Sequence, residues 1–146
     1  MSAEPAEQPD VREMVAALDA FFFDVYPPDV CILTPIEALE ADGVMFVARE
    51  SGRAVGCGAL FVRDDGLAEV KRVYVKPEAR GQGLSKLLMD KIETEAKARG
   101  VEVLLLETGV NQPEAIRLYE NRGYRQRSRF APYNEDAYSL FYEKAL

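Results

Sequence analysis

Apolar residues recur along this chain with two periods, one typical of helices and one typical of strands. Residues 11–23 carry a helical stripe, whose apolar members are Val11, Met14, Val15, Leu18, Phe21 and Phe22. Pro27 and Pro28 follow this stripe and end the helix, because proline cannot continue helical hydrogen bonding. Thr34 followed by Pro35 predicts the start of a second, short helix.

The middle of the chain has the pattern of strands. Residues 44–49 and 53–62 flank a short turn at 50–52, which predicts a hairpin. Residues 67–75 form the next predicted strand, after a turn at 64–66. These three strands are therefore expected to pair in sequence order.

Helices and strands alternate in the rest of the chain. A helix that begins at Leu84 and stops at Gly100 is predicted to place its apolar side chains on one face, namely Leu87, Leu88, Ile92 and Ala96. Residues 101–107 are a short apolar strand of the kind that is buried on both faces in a parallel pair, and the strand–helix–strand connection permits that pairing. The remaining predicted elements are a helix over 113–121 closed by Gly123, and strands near 124–130 and 138–144 separated by a loop at 131–136.

A glycine-rich turn joins the strand at 67–75 to the helix that follows it. Residues 73–88 read V-Y-V-K-P-E-A-R-G-Q-G-L-S-K-L-L. At a helix N-terminus the first N–H groups lack helical partners and the macrodipole adds positive charge, so this turn predicts a pyrophosphate site. Gly81 and Gly83 allow a ligand to approach the backbone, and Arg80 adds a cation. An ordinary strand-to-helix turn would also use glycine for its geometry.

The spacing of the turn separates several kinds of phosphate loop. The chain contains no G-x-x-x-x-G-K-[ST] string, and Lys86 stands where a dinucleotide fingerprint needs its third glycine. The turn instead resembles R-x-x-G-x-[GA], the acetyl-coenzyme A signature of the GCN5-related N-acetyltransferase (GNAT) superfamily. Arg80 and Gly83 match this signature, and Ser85 stands at its last position.

A second segment carries the same resemblance. Residues 112–124 read Q-P-E-A-I-R-L-Y-E-N-R-G-Y and are similar to the superfamily's N-x-x-A-x-x-L-Y-x-x-x-G-[FY] block. Gln112 stands where the family usually has an asparagine that contacts the pantetheine arm. The neighbouring Asn111 could replace it and is intrinsically the better helix cap.

The resemblance implies an α/β fold, the GNAT acyl-CoA N-acyltransferase fold. This fold has a mixed, mostly antiparallel sheet with helices on both faces and a central parallel strand pair that splays apart for pantetheine. We expect residues 1–146 to form a single domain of this kind. The first strand of the family has little room before Val11, so it is expected to be very short or missing.

The resemblance also implies which residues bind acetyl-CoA, the expected co-substrate. Val73 and Val75 would present backbone groups to pantetheine, while their side chains are expected in the core. The residues expected around the pyrophosphate are Arg80, Gly81, Gln82, Gly83, Leu84 and Ser85. Tyr119 occupies the position whose phenol donates a proton to the departing thiolate, although an aromatic residue could also simply fill a helix–sheet interface there.

The reaction also needs a way to remove a proton from the amine. An alkylamine with a pKa of about 10.4 is neutral in only about one molecule per thousand at pH 7. Glu69 is the candidate base, because A-E-V-K-R-V-Y-V resembles the strand of histone acetyltransferases that carries a catalytic glutamate. The alternatives are a water chain, or a role for Glu69 in a surface ion pair with Lys71 on the same face of the strand.

The acceptor is expected to bind near residues 21–29 and 130–138, which supply acceptor pockets in this superfamily. An ammonium group could bind to Tyr26, Asp29, Tyr133, Glu135 and Asp136. A carboxylate could instead be oriented by a basic cluster of Arg72, Arg125, Arg127 and Arg129. The phenylalanines at 21–23 are expected to lie in the core.

Composition narrows the functional classes. A net charge of −7 argues against a nucleic-acid surface, and the absence of histidine excludes histidine triads and most catalytic zinc sites, so no metal is expected. Cys31 and Cys57 have no metal or redox spacing and are expected to be free buried thiols. The N-terminal residues lack a signal sequence and no stretch is long enough to cross a membrane, which predicts a cytoplasmic protein.

Three functions fit these observations. The leading one is acetyl-CoA-dependent transfer to the primary amine of a small molecule, by direct attack in a ternary complex. The alternatives are acetylation of lysine or N-terminal amines in proteins or peptides, and non-catalytic sensing of acyl-CoA. A homodimer that pairs through the last strands is a further expectation.

Overall fold

The described residues, 1–31 and 33–146 of a computed structural model, form seven strands and four α-helices. The strands are β1 (Ser2–Glu4), β2 (Gly43–Glu50), β3 (Arg53–Val62), β4 (Ala68–Val75), β5 (Val103–Gly109), β6 (Arg125–Arg127) and β7 (Ser139–Ala145). The helices are α1 (Pro9–Val25), α2 (Ile36–Asp42), α3 (Leu84–Ala98) and α4 (Pro113–Asn121). None of the helices in these two ranges is long and apolar enough to cross a membrane.

The seven strands form one mixed sheet in the order β1-β2-β3-β4-β5-β7-β6. Every neighbouring pair is antiparallel except β4 and β5, which α3 connects in a parallel crossover. The predicted mixed sheet with one central parallel pair is therefore confirmed. The first strand is present but only three residues long, as its short N-terminal segment predicted.

The strand β4 contains a bulge at Arg72, whose φ of 52° lies in the left-handed region. The bulge shifts the register against β3, so that Cys57 faces Tyr74 but Ala59 faces Lys71. Side chains that follow the bulge therefore change faces relative to those before it. This kink is located where β4 must turn away from its other neighbour, β5.

Helices cover both faces of the sheet, as predicted. Helices α3 and α4 pack on one face, over a core that includes Leu60, Leu88, Ile92 and Leu106. Helices α1 and α2 pack on the other face, over a second core cluster centred on the buried Leu39. The sheet is thus the middle layer of three, and its central strands are buried on both sides.

Two expectations about the apolar faces are wrong. Leu87 is 50% exposed, because the buried stripe of α3 runs through Leu88 and Met89 and leaves Leu87 on the solvent side. On α1, the predicted core residues Phe21 and Phe23 are also exposed, at 42% and 50%. Both lie in the last turns of α1, beyond the part of the helix that packs on the sheet.

A buried carboxylate completes the packed face of α3. Glu93 accepts hydrogen bonds from Arg122 (3.0 Å), Lys144 (2.9 Å) and the hydroxyl of Tyr124 (3.1 Å). Burial raises the pKa of Glu93, but the hydrogen bonds from Arg122 and Lys144 outweigh burial and lower it overall. This network connects α3 to the end of α4 and to β7.

Replacing Glu93 should strongly destabilise the fold. In Glu93→Ala, Arg122 and Lys144 lose a buried partner, so we expect the free energy of unfolding to fall by about 3 kcal/mol in urea titrations. Asp90→Ala is the matched control, because Asp90 binds the same Arg122 from one turn away but is 59% exposed, and should cost less than about 1 kcal/mol. Equal losses in the two variants would contradict this interpretation of the network.

Candidate active site

A cavity of about 620 Å³, called the larger cavity below, opens between β4, the N-terminus of α3 and α4. Helix α1 closes one side of it with Ala17, Leu18 and Phe21. The predicted acetyl-CoA residues that line it are Val73, Val75, Arg80, Gly81, Gly83, Leu84, Ser85, Asn111 and Gln112. Gln82 is exposed and is not among the lining residues, so its part in acetyl-CoA binding stays a prediction.

Divergence of the two parallel strands opens this cavity. Pairing between β4 and β5 is limited to Ala68 with Leu104 and Glu69 with Leu105 among the described residues. Beyond these positions both strands continue without pairing to each other, because the bulge at Arg72 turns β4 away. Main-chain groups at the inner edges of both strands therefore face the cavity.

The hydrogen bonds around β4 identify which main-chain groups are free. The amide of Lys76 donates to Val55 in β3 (2.8 Å), so the alternation along a strand directs the N–H groups of Val73 and Val75 toward β5. The carbonyl of Val75 already accepts a hydrogen bond from Arg80 Nε (2.9 Å). The two valines thus offer backbone donors to the cavity, while the side chain of Val75 is buried in the core.

The glycine-rich turn ends in a helix N-terminus without a side-chain cap. Gly83 is the N-cap residue with φ of 77°, a left-handed conformation that favours glycine. The first helical bond is Leu87 N–H to the Gly83 carbonyl (3.2 Å), so the N–H groups of Leu84, Ser85 and Lys86 have no partner within the helix. This end of α3 is therefore suited to an anion such as a pyrophosphate.

Tyr119 lies on α4 and lines the larger cavity. Its ring packs edge-on against Tyr124, with centroids 5.9 Å apart. Burial, with a smaller contribution from the charge of Glu107, raises the pKa of Tyr119 to about 12. The phenol is therefore protonated near neutral pH and is able to donate a proton.

A smaller cavity, about 50 Å³, lies next to the larger one. Its walls are mostly apolar or aromatic, and its lining residues are Phe22, Tyr26, Val30, Cys31, Leu33, Glu107, Thr108, Gly109, Gln112, Tyr138 and Ser139. Gln112 lines both cavities. The shared lining residue makes the two cavities neighbours, with α1 on one side and the end of β5 on the other.

Tyr26 fixes the boundary between the two cavities. Its hydroxyl donates to Gln112 Oε1 (3.2 Å) and accepts from the amide of Asn111 (3.1 Å). A Cβ at Gly109 would lie 1.9 Å from this hydroxyl, so only glycine leaves room for Tyr26 here. Gln112, rather than Asn111, occupies the N-cap position of α4, and neither side chain caps the helix, which corrects the suggested capping by Asn111.

Glu107 is the one carboxylate among the described residues that line the smaller cavity. Burial raises the pKa of Glu107 to about 7, Lys71 opposes this shift, and the negative charges of Glu69 and Asp136 add to it. Glu107 was not among the residues predicted from the sequence. The available signal was a single acidic residue within the apolar run at 101–107.

The predicted base, Glu69, lies in a buried cluster and is not among the described lining residues of either cavity. Its Oε1 accepts a hydrogen bond from the Tyr133 hydroxyl (2.6 Å) and lies 3.0 Å from Lys71 Nζ. Its other oxygen lies 3.3 Å from Arg63. The ion pair between Glu69 and Lys71, which was the alternative role expected for Glu69, is present, but it is buried rather than on the surface.

The other predicted acceptor residues are dispersed. Asp29 and Glu135 are exposed, whereas Asp136 accepts hydrogen bonds from the amides of Tyr138 and Ser139, both at 2.7 Å. None of these three acids, nor Tyr133, is among the described lining of the smaller cavity.

The four arginines that were predicted to orient a carboxylate of the acceptor are not among the described lining residues of either cavity. They are Arg72, Arg125, Arg127 and Arg129. Arg72 is buried, lies 3.0 Å from Asp19 and donates to the Thr34 carbonyl (2.8 Å).

Cys31, predicted to be buried, is half-buried, whereas Cys57 is buried as expected.

Comparisons with known proteins agree with this geometry. The family model described as the Acetyltransferase (GNAT) family matches residues 11–124. A protein named IAA acetyltransferase from Azospirillum brasilense is 41% identical over 148 residues, and the match covers 100% of this chain and 97% of that protein.

Solved structures have the same fold. A Klebsiella pneumoniae protein assigned as an acyl-CoA N-acyltransferase superposes with a TM-score of 0.83 and 36% identity, over 99% of this chain and 95% of that one. A GNAT family acetyltransferase from Elizabethkingia anophelis, solved with acetyl-CoA bound, has a TM-score of 0.68 and 17% identity, over 99% of this chain and 96% of that one. At 17% identity the second structure shows the fold alone.

The raised pKa of Glu107 predicts a pH-dependent cost to stability. A carboxyl group whose pKa is raised by folding stabilises the fold when protonated, and this contribution is lost as the pH rises through the folded pKa of about 7. Glu107→Gln should therefore gain about 2 kcal/mol relative to the native protein between pH 5 and pH 8, measured by urea unfolding. The exposed Glu135→Gln is the control and should show no such trend. A pH-independent difference for Glu107→Gln would contradict the assigned pKa.

Proposed function

Because the chain belongs to the GNAT family of acetyltransferases and is an N-acetyltransferase, we propose that its acetyl donor is acetyl-CoA and its acceptor is the primary amine of a small molecule. The amine attacks the thioester directly, with both substrates bound at once. The observation that carries this proposal is the pair of neighbouring cavities that meet at Gln112, one of about 620 Å³ lined by the N-terminus of α3, the other of about 50 Å³.

Acetyl-CoA fits the chemistry of the larger cavity. The N–H groups of Val73 and Val75 would bind the amide oxygens of pantetheine, as an added strand binds to a sheet edge. The N-terminus of α3 would bind the pyrophosphate through the amides of Leu84 and Ser85, with Arg80 beside it. The thioester would then reach the point where β4 and β5 separate.

Tyr119 is the proposed acid. When the C–S bond breaks, the electron pair stays on sulfur and the thiolate needs a proton. Tyr119 lines the larger cavity, and its phenol holds its proton at neutral pH. It would therefore donate to sulfur, and the resulting phenolate would be reprotonated before the next cycle.

A small molecule fits the acceptor side better than a peptide. The smaller cavity holds about 50 Å³, well below the roughly 300–1,000 Å³ of ordinary ligand pockets. Its walls from α1 and β7 leave room for an amine head and a short body rather than for a folded chain. The name of the Azospirillum relative, an IAA acetyltransferase, also designates a small acceptor for that protein.

Other expectations remain proposals. Glu69 as the base stays a prediction, although its carboxylate already has Tyr133, Lys71 and Arg63 as partners. We retain a single domain over 1–146 and a cytoplasmic location as predictions. A homodimer through β6 has little support, because this edge strand has three residues and exposes Arg125, which discourages edge pairing.

The acid role of Tyr119 can be tested by removing only its hydroxyl. Tyr119→Phe should keep its affinity for CoA in calorimetry and lose about 100-fold in thiol release from acetyl-CoA with an amine acceptor. Tyr124→Phe is the matched control, because its ring touches Tyr119 but its hydroxyl binds Glu93. Turnover of Tyr119→Phe at the native level would remove the assignment.

The same assay separates the alternative functions. A protein acetyltransferase would release thiol faster with peptides than with free amines. A sensor would bind CoA tightly and release no thiol with any member of an amine and peptide panel.

A further inference from the structure

We propose that Glu107 receives the ammonium group of the acceptor and acts as the base that removes its proton. This inference rests on the proposed function and adds to it a catalytic residue and a substrate class. The amine would enter the smaller cavity, bind to the Glu107 carboxylate and there face the thioester.

The position of Glu107 in the sheet supports this role. It lies on β5, two residues beyond Leu105, the last residue of β5 that pairs with β4. Side chains two residues apart on a strand share a face, so Glu107 points to the α1 side of the sheet, as Leu105 does. At that point the strands have separated, and Glu107 lines the smaller cavity beside the shared residue Gln112.

None of the ion pairs among the described residues includes Glu107, and the side-chain hydrogen bond that bears on its pKa comes from Ser139. The groups that interact with its charge are Lys71 and Glu69 from β4, Asp136 and Tyr133 from the segment before β7, Tyr26 and Cys31 from the α1 side, and Tyr119 from α4. Lys71 is the one cation in this group, and it is already paired with Glu69 and bonded to Tyr133. An incoming ammonium would therefore be the nearest free positive charge for Glu107.

Glu69 and Glu107 thus have separate tasks in this cluster. The carboxylate of Glu69 holds Lys71 and Tyr133 in place at the foot of the diverging strands. The carboxylate of Glu107 faces the cavity. A pKa near 7 also suits a general base at neutral pH, because the group is partly ionised there and still able to accept a proton.

The proton balance of the reaction is complete with these two residues. The bound ammonium gives one proton to Glu107, which passes it to solvent. The nitrogen lone pair then forms the C–N bond while the C–S bond breaks and its electrons stay on sulfur. Sulfur takes the Tyr119 proton, and the second N–H proton leaves through Glu107 and restores the tyrosine. The products are the amide, CoA thiol and one released proton.

The lining of the smaller cavity also restricts the acceptor. It has one carboxylate, and none of its described residues is a lysine or arginine. Arg72, the buried arginine of β4, is paired with Asp19 instead. A second, negative group on the acceptor would have no partner and would be repelled by Glu107. The preferred acceptors are therefore primary amines whose short body is uncharged and apolar.

The role of Glu107 can be tested through pH profiles of kcat/KM. The native enzyme should show a rise with pH through about 7, set by ionisation of Glu107. Glu107→Gln should lower kcat/KM at pH 7 by about 100-fold and abolish this rise, with CoA affinity retained in calorimetry. Glu69→Gln is the discriminating variant, since it should keep the rise through pH 7.

The outcomes separate the inference from the proposed function. Loss of the rise in Glu69→Gln, with its retention in Glu107→Gln, would overturn the assignment and return the base to Glu69. If native enzyme released no thiol with any amine although CoA bound, the proposed function itself would fail. Misfolding is not expected to obscure the result, because Glu107→Gln should be the more stable protein above pH 7.

Substrate class is tested with a matched pair of acceptors. Ethylamine and alanine differ only by the carboxylate of the amino acid, and both have a short body. We expect kcat/KM to be at least tenfold higher for ethylamine, and Glu107→Gln should shrink this preference by removing the repulsion. Equal or better use of alanine by the native enzyme would overturn the substrate class.

Discussion

The separation of two parallel strands is the constraint on which the rest of this structure depends. The bulge at Arg72 turns β4 away from β5 after only two paired positions. Unpaired main-chain groups inside a protein are costly unless a partner satisfies them. The sheet therefore offers main-chain donors to a ligand with amide-like groups, and the N-termini of α3 and α4 lie around the same opening.

The same separation creates the electrostatic contrast between the two cavities. The larger one ends at helix amides and Arg80, which suit a phosphate, whereas the described lining of the smaller one has a single carboxylate among aromatic and apolar side chains. The negative charge of Glu107 on β5 contributes to the raised pKa of Tyr119 on α4. A carboxyl pKa near 7 suits a proton acceptor at neutral pH, whereas the raised pKa of Tyr119 keeps its phenol protonated until a thiolate forms beside it.

Much of this arrangement could be predicted from the sequence, because it follows local patterns. The glycine-rich turn and the strand–helix–strand unit follow local patterns, whereas the very short first strand was expected from the resemblance to the GNAT superfamily. Glu107 could not be selected, since its role depends on the distant α1 and β7 that enclose it. The network at Glu93 was missed for the same reason, and an apolar pattern alone favoured Leu87 for the buried face of α3. Pairs of charged residues that are distant in the sequence leave no periodic pattern from which the pairing could be predicted.

Amide hydrogen exchange with and without CoA tests the central claim most directly. The account predicts that saturating CoA protects the amides of Val73, Val75, Leu84 and Ser85, while Ala68 and Glu69, already next to β5, change little. Unchanged exchange at the two valines under saturating CoA would contradict it, because the ligand would then bind without using the gap between the strands.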